Sequence, residues 1–127
     1  MSFTLIDQSS ENFEFAASVW NWKAVVEVIR SLDIVGDGAL RQMGYNATGV
    51  KVEANEAREI GERIQKEWLP KLAPDKRVFS DLSITEAPDD MTLHRDGDEQ
   101  WKNYSVSHDV LEEFAEFCLR SKGFQVF

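Results

Sequence analysis

The chain holds a single cysteine, Cys118, and only two histidines, His94 and His108, in 127 residues. One thiol permits neither an internal disulfide nor a four-thiolate zinc site. The two histidines fall in no HxxxH, HxH or His-Asp pattern of the kind that metal sites and hydrolases use. Gly36-x-Gly38 is not followed by the glycine pair of a dinucleotide fold or the Lys-Ser/Thr of a P-loop, so no phosphate cradle is written into the glycines. Long apolar runs are missing too. The best of them, Val19 to Leu32, is broken by Asn21, Lys23, Glu27 and Arg30, and cannot cross a bilayer. Met1-Ser-Phe-Thr carries no basic stretch leading into an apolar one, which argues against a signal peptide and for a cytoplasmic location.

Bases are scarce as well. Lys and Arg total 14 against 23 Asp and Glu, a net charge of −9. The deficit is local: residues 1–80 hold 12 acids and 10 bases, whereas residues 81–116 hold 11 acids against Arg95 and Lys102 alone. Nucleic-acid binding draws its affinity from neutralised phosphates and released counterions, and no basic stripe exists to supply it. Anionic membrane surfaces are disfavoured on the same ground. A basic protein partner is the class that such a field attracts.

What the chain does have is material for a core. Hydrophobic residues make up 43% of it, with eight Phe and four Trp, enough for one domain over 1–127 that stands without disulfides or metal. The periodicity predicts a mainly α fold, with α+β as the second choice. Three helices are expected, at about 15–32, 54–72 and 108–121. In the first, Val19, Trp22, Val25, Val26, Ile29 and Leu32 define one face, which Trp20, Ala24 and Val28 widen. In the second, Ala57, Ile60, Gly61, Ile64, Trp68 and Leu72 keep the helical period, and Pro70 should end it near Leu69. The third opens on Ser107 as its cap, buries Val110, Leu111, Phe114, Phe117 and Cys118, and finds Gly123 at the C′ position. Trp22, Val26, Ile29, Ile64, Trp68, Phe114 and Phe117 form the expected core.

Minor strands are expected around Phe3, Leu5 and Ile6, at Val50–Val52, Arg77–Phe79 and Leu82–Ile84, and in the tail Phe124–Phe127. Residues 74–104 are expected to form a long acidic loop region that contains two of these strands. A loop this long inside a compact domain is ordinarily functional or disordered.

The candidate chemistry lies in that loop. Asp89, Asp90, Asp96, Asp98 and Glu99 do not match the calcium loop of an EF-hand, which needs ligands at alternate positions, glycine at the sixth and glutamate at the twelfth. They read as a solvated charge run suited to protein contact. Trp101 and Tyr104 lie just beyond, and aromatics beside a charged rim have the composition of an interface anchor. Trp101 serves equally well to pin the loop to the core. Cys118 falls on an apolar helical face and reads as packing, not as a nucleophile.

Tyr45-Asn-Ala-Thr-Gly-Val-Lys-Val52, the helix after it and the ending Phe114-Ala-Glu-Phe-Cys-Leu-Arg-Ser-Lys-Gly-Phe124 resemble a pattern in small uncharacterised bacterial proteins. These have a Trp-bearing first helix, a Tyr-Asn-x-x-Gly turn and a closing helix-Gly-Phe tail. The resemblance covers about half of the chain, implies a bacterial source and helices with minor strands, and implies no activity.

Three functional readings follow. The first is a protein-binding module, an immunity-type inhibitor or an adaptor, that meets a basic partner through Asp89, Asp90, Asp96, Asp98, Glu99, Trp101 and Tyr104, needing no cofactor or metal. The second is a small-ligand binder or enzyme with a pocket near Trp101, Tyr104 and His94. The third is a homo-oligomeric structural protein that buries surplus aromatics such as Trp20 and Phe127. The missing catalytic set favours binding over catalysis.

Overall fold

A computed structural model describes residues 2–45, 48–89 and 92–127. Among them are seven strands and four helices: β1 (Ser2–Asp7), β2 (Glu14–Ser18), α1 (Val19–Leu32), α2 (Asp37–Met43), β3 (Val50–Val52), α3 (Ala54–Arg63), β4 (Arg77–Phe79), β5 (Ile84–Thr85), β6 (Ser105–Ser107), α4 (His108–Arg120) and β7 (Phe124–Val126). The fold is α+β. The mainly α expectation is therefore wrong, overturned by two antiparallel sheets.

The first sheet has the order β2-β1-β7-β3, so the last strand lies between the first and the third. Leu5 pairs with Phe15 on one side and with Val126 on the other, and Val52 pairs with Phe124. The second sheet, β5-β4-β6, pairs Val78 with Ile84 and with Val106. Helices α1 and α4 pack on both sheets, α3 packs on α4, and buried side chains from both sheets join them in one apolar cluster.

The error in the first helix has a clear physical cause. Phe15 and Ala17 are buried while Glu14 and Ala16 are exposed, an alternation of period two that belongs to a strand. Ser18 then caps α1, its hydroxyl accepting from the Asn21 amide, so the helix begins at Val19 and not at residue 15. Sequence reading took Phe15 as the start of the helical run because Val19 and Trp22 follow at helical steps. The strand β6 was missed altogether, and β5 begins at Ile84, two residues later than expected, because Leu82 belongs to the turn. Leu82 has φ 73°, a conformation that costs a bulky residue of the order of 1–3 kcal/mol and that the surrounding hairpin must impose. The turn expected at Tyr45–Gly49 runs through Asn46 and Ala47, which lie outside the described residues.

The second expected helix is α-helical only to Arg63. It continues as a π-helical turn, Ile64–Trp68, and ends at Leu69 just before Pro70. Its N-terminus is a capping box formed by Glu53 and Glu56. On its outer face Arg63 bonds the Glu67 carboxylate through two guanidinium nitrogens. Helix α4 matches expectation at its start, where the Ser107 hydroxyl accepts from the Val110 amide. Its end differs. Ser121 is the C-cap in an extended conformation, so Gly123 is not the C′ residue. Glycine is needed there for two other reasons: φ is 95°, and a Cβ would stand 2.9 Å from the Val52 carbonyl oxygen.

Aromatic packing centres on Phe114 of α4. Its ring lies 5.5 Å from Phe15, 5.8 Å from Trp22 and 6.5 Å from Phe124, and so bridges β2, α1 and β7. Each such pair adds about 0.5–1.5 kcal/mol beyond the area it buries. The Trp22 indole is buried, and its N–H donates to the Met43 carbonyl at 2.8 Å, which fixes the end of α2 against α1. Cys118 lies in the same core, and burial pushes its thiol well above the usual range, as a packing role requires.

One buried charge joins the two ends of the chain. Asp7, at the end of β1, is only 4% exposed. Burial alone would raise its pKa. Instead its carboxylate accepts from the Ser9 amide and hydroxyl, the Ser121 hydroxyl at 2.8 Å and the Lys122 amide at 2.7 Å, and its pKa falls from 3.8 to about 2.

Two stability predictions follow from this packing. Because the Asp7 pKa is lower in the folded state, its contribution is present above pH 4 and is lost as the pH falls towards 2. The drop from 3.8 to about 2 corresponds to roughly 2 kcal/mol. Urea denaturation should show that loss between pH 4 and pH 2, and Asp7→Asn should abolish most of this pH dependence while costing roughly 3 kcal/mol at pH 7. At Gly61, a Cβ would meet the Ala115 carbonyl oxygen and Leu119 Cγ, each at 2.8 Å. Gly61→Ala should thus destabilise by about 1–3 kcal/mol, despite the better helix propensity of alanine, because α3 must move off α4.

Candidate functional site

Helix α1 turns Trp22, Ala24, Val25, Val26, Val28, Ile29 and Leu32 into the core. The residues left outside include Trp20, Lys23, Glu27 and Arg30, which repeat at three- and four-residue steps. A tryptophan on the polar stripe of a helix is unusual, and Trp20 is 44% exposed. It is stacked on Tyr104, with ring centroids 5.3 Å apart and planes 28° apart. The Lys23 ammonium lies 4.4 Å from the centre of the same tyrosine ring. A hollow opens on each side of this Trp20–Tyr104–Lys23 stack.

The hollow on the acidic side has a volume of about 340 Å³. It is lined by Trp20, Asn21, Asp89, Leu93, Lys102 and Asn103, among others. Leu93 is 53% exposed, which puts a second apolar side chain beside Trp20. The backbone that carries these groups is well tied down. The Asn103 side chain accepts from the His94 amide at 2.7 Å and donates to the His94 carbonyl at 2.8 Å, closing the loop between them. Asn21 of α1 donates to the Ser105 carbonyl at 2.9 Å, and Arg77 reaches both the Ala87 carbonyl and the Ser105 hydroxyl. Residues 74–104 thus contain β4, β5 and a 3₁₀ turn at Gln100–Asn103.

The seven candidate residues separate into groups. Asp96 and Asp98 are exposed on the outside of the loop, and Asp89 lines the hollow. Asp90 lies outside the described residues. Glu99 is half-buried and pairs with Lys102 at 3.1 Å, so part of its charge is spent within the loop. Trp101 points inward. Its ring meets Phe79 edge-on at 5.2 Å, and its N–H donates to the Asp98 carbonyl at 3.1 Å. Of the two roles the sequence allowed for Trp101, the contacts fit that of pinning the loop to β4. Tyr104 joins Trp20 and Lys23 instead.

His94, Trp101 and Tyr104, read together as a pocket, are not neighbours in either hollow; Tyr104 alone lines one, on the other side of the stack. His108 sits at the start of α4 with Nδ1 3.3 Å from an Asp109 carboxylate oxygen. Among the described residues, no three His, Cys, Asp or Glu side chains come together to hold a metal ion. No helix of the described residues is long and apolar enough to cross a membrane.

Sequence reading missed Trp20 as a surface platform, along with Leu93 and Asn103. Trp20 was legible: it falls in register with Lys23 and Glu27 and out of register with Trp22. Asn103 was not, because its role depends on the chain returning to His94.

The Asn103 clamp yields a direct prediction. Asn103→Ala should leave the midpoint of thermal unfolding within a few degrees, since about 1–2 kcal/mol is at stake. It should raise amide exchange at His94 and proteolysis within 94–103 far more than elsewhere, measured by mass spectrometry; uniform protection across the loop would exclude the clamp.

No family model matches the chain, and neither a curated protein nor a solved structure matches it.

Proposed function

We propose that the chain is a protein-binding module that receives a basic segment of a partner protein on the acidic face of residues 81–104, as an immunity-type inhibitor or an adaptor does. The observation that carries this reading is the hollow between Trp20 and Leu93, an aromatic and an aliphatic side chain left open beside the Asp89 carboxylate of a tied-down loop. Interfaces concentrate their energy in such a place: an exposed aromatic at the centre and a polar rim around it. A lysine or arginine side chain suits it, with the alkyl stem on Leu93, the cation over Trp20 and the rim acids supplying the field.

Long-range attraction is the second support. Asp81, Glu86, Asp89, Asp96 and Asp98 are all exposed, and residues 81–104 hold seven acids against Arg95 and Lys102 alone. Such a surface steers a basic partner and raises the association rate more than it slows dissociation. A cytoplasmic setting belongs to the same proposal, where a lone reduced thiol is ordinary.

The test compares capture by wild type with capture by a variant carrying Asp89→Asn, Asp96→Asn, Asp98→Asn and Glu99→Gln, using extract of the source organism and quantitative mass spectrometry. A basic protein should be retained at least tenfold better by wild type, with binding that weakens as salt rises. Trp20→Ala should slow association little and speed dissociation of that protein by tenfold or more. Equal capture by wild type and the neutralised variant would remove the acidic face from the mechanism.

A further inference from the structure

The second hollow lies on the far side of the Trp20–Tyr104 stack and has a different character. Its volume is about 380 Å³, within the range of small-molecule sites. Val19, Val26 and Leu40 supply an apolar lining between α1 and α2, and Tyr45 and Tyr104 also border it. Around it stand three cations, Lys23, Arg30 and Arg41, and one acid, Glu27. Arg30 is paired with Glu27 at 3.3 Å. Among the described residues, no carboxylate forms an ion pair with Lys23 or Arg41. These four side chains give the lining a net charge of +2 in a chain of net charge −9.

We infer that this hollow is a binding site for a small organic anion: a carboxylate or phosphate carried on an apolar body of about one ring. Each part of that description has its own source. The apolar lining takes a hydrocarbon or aromatic body, which the tyrosines can also flank. Arg41 carries a planar fork of donors suited to a carboxylate or phosphate, and Lys23 adds a compact charge. The Glu27–Arg30 pair in the lining carries no net charge, which leaves Lys23 and Arg41 to select the anion. The site shares no lining residue with the proposed protein-binding hollow: Tyr104 borders the one and Trp20, stacked on it, the other.

The inference is tested on the intact chain with three probes of one shape: benzoate, phenyl phosphate and the uncharged benzamide. Titration followed by ¹H–¹⁵N correlation spectra should give saturable shifts at Lys23, Leu40, Arg41, Tyr45 and Tyr104 with at least one of the anions. Benzamide should bind at least tenfold more weakly, the difference a charge-assisted contact makes. The preferred anion, benzoate or phenyl phosphate, tells a carboxylate site from a phosphate site. The double variant Lys23→Gln, Arg41→Gln should lose about tenfold or more in affinity while unfolding at the same temperature, because both side chains are exposed. Equal binding of benzamide and the anions, shifts scattered over the surface without saturation, or undiminished affinity in the double variant would each overturn it. Neutralising the loop acids tests only the protein-binding face, so the two readings fail separately.

Discussion

The carboxylate of Asp7 holds together parts of the chain that are more than a hundred residues apart. It accepts the Ser121 hydroxyl and the Lys122 amide, the first two residues after α4, while its own residue ends β1. Those bonds determine where α4 stops and in which direction the chain leaves it. From Ser121 the backbone must turn at once through Gly123, where any Cβ would run into the Val52 carbonyl, and enter the sheet as β7. A neutral side chain in place of Asp7 could not satisfy the same set of donors, and an unpaired carboxylate could not stay buried. The four-stranded sheet, the end of α4 and the placement of Phe124 against Phe114 therefore rest on one negative charge whose partners are all neutral donors.

That arrangement also explains how much of the fold could be read from the residues. Helices whose signal is local were legible. Ser107 with its apolar face announced α4, and Pro70 marked where the second long helix stops. The strands were legible only as fragments, because β3, β4, β6 and β7 have three residues each and a strand of that length gains its stability from partners far away in sequence. Phe15 and Ala17 alternate over a span too short to outweigh the helical steps that follow, yet the pairing of Leu5 with Phe15 settles the matter in the folded chain. Gly123 has the conformation of a helix-ending glycine and a different role. Its positive φ was foreseeable from its position after a helix, whereas the nearby carbonyl of Val52 was not.

The surface shows the same division between local and distant information. The concentration of acids in 81–116 is a property of composition and needs no structure. What that segment leans on is not. Trp101 and Tyr104 stand three residues apart and have different roles, one wedged against Phe79 and the other laid against Trp20 of α1. Distance along the chain made them look like a pair. The 3₁₀ turn at Gln100–Asn103 and the extended residue that follows it send the two rings to different neighbours.

The position of β7 has a consequence for how this molecule comes into being. β7 is hydrogen-bonded to β1 on one edge and to β3 on the other, and Thr4 exchanges two backbone hydrogen bonds with Phe127. While the ribosome is still adding residues before Phe124, β1 can pair only with β2, β3 has no strand beside it, and Asp7 has yet to meet Ser121. Non-local pairings of this sort come late, since the entropy of closing the long loop must be met first. The nascent chain therefore emerges with the edges of β1 and β3 that β7 will occupy still unpaired, a condition in which chaperones have something to hold. The sheet closes only after β7 itself has cleared the exit tunnel.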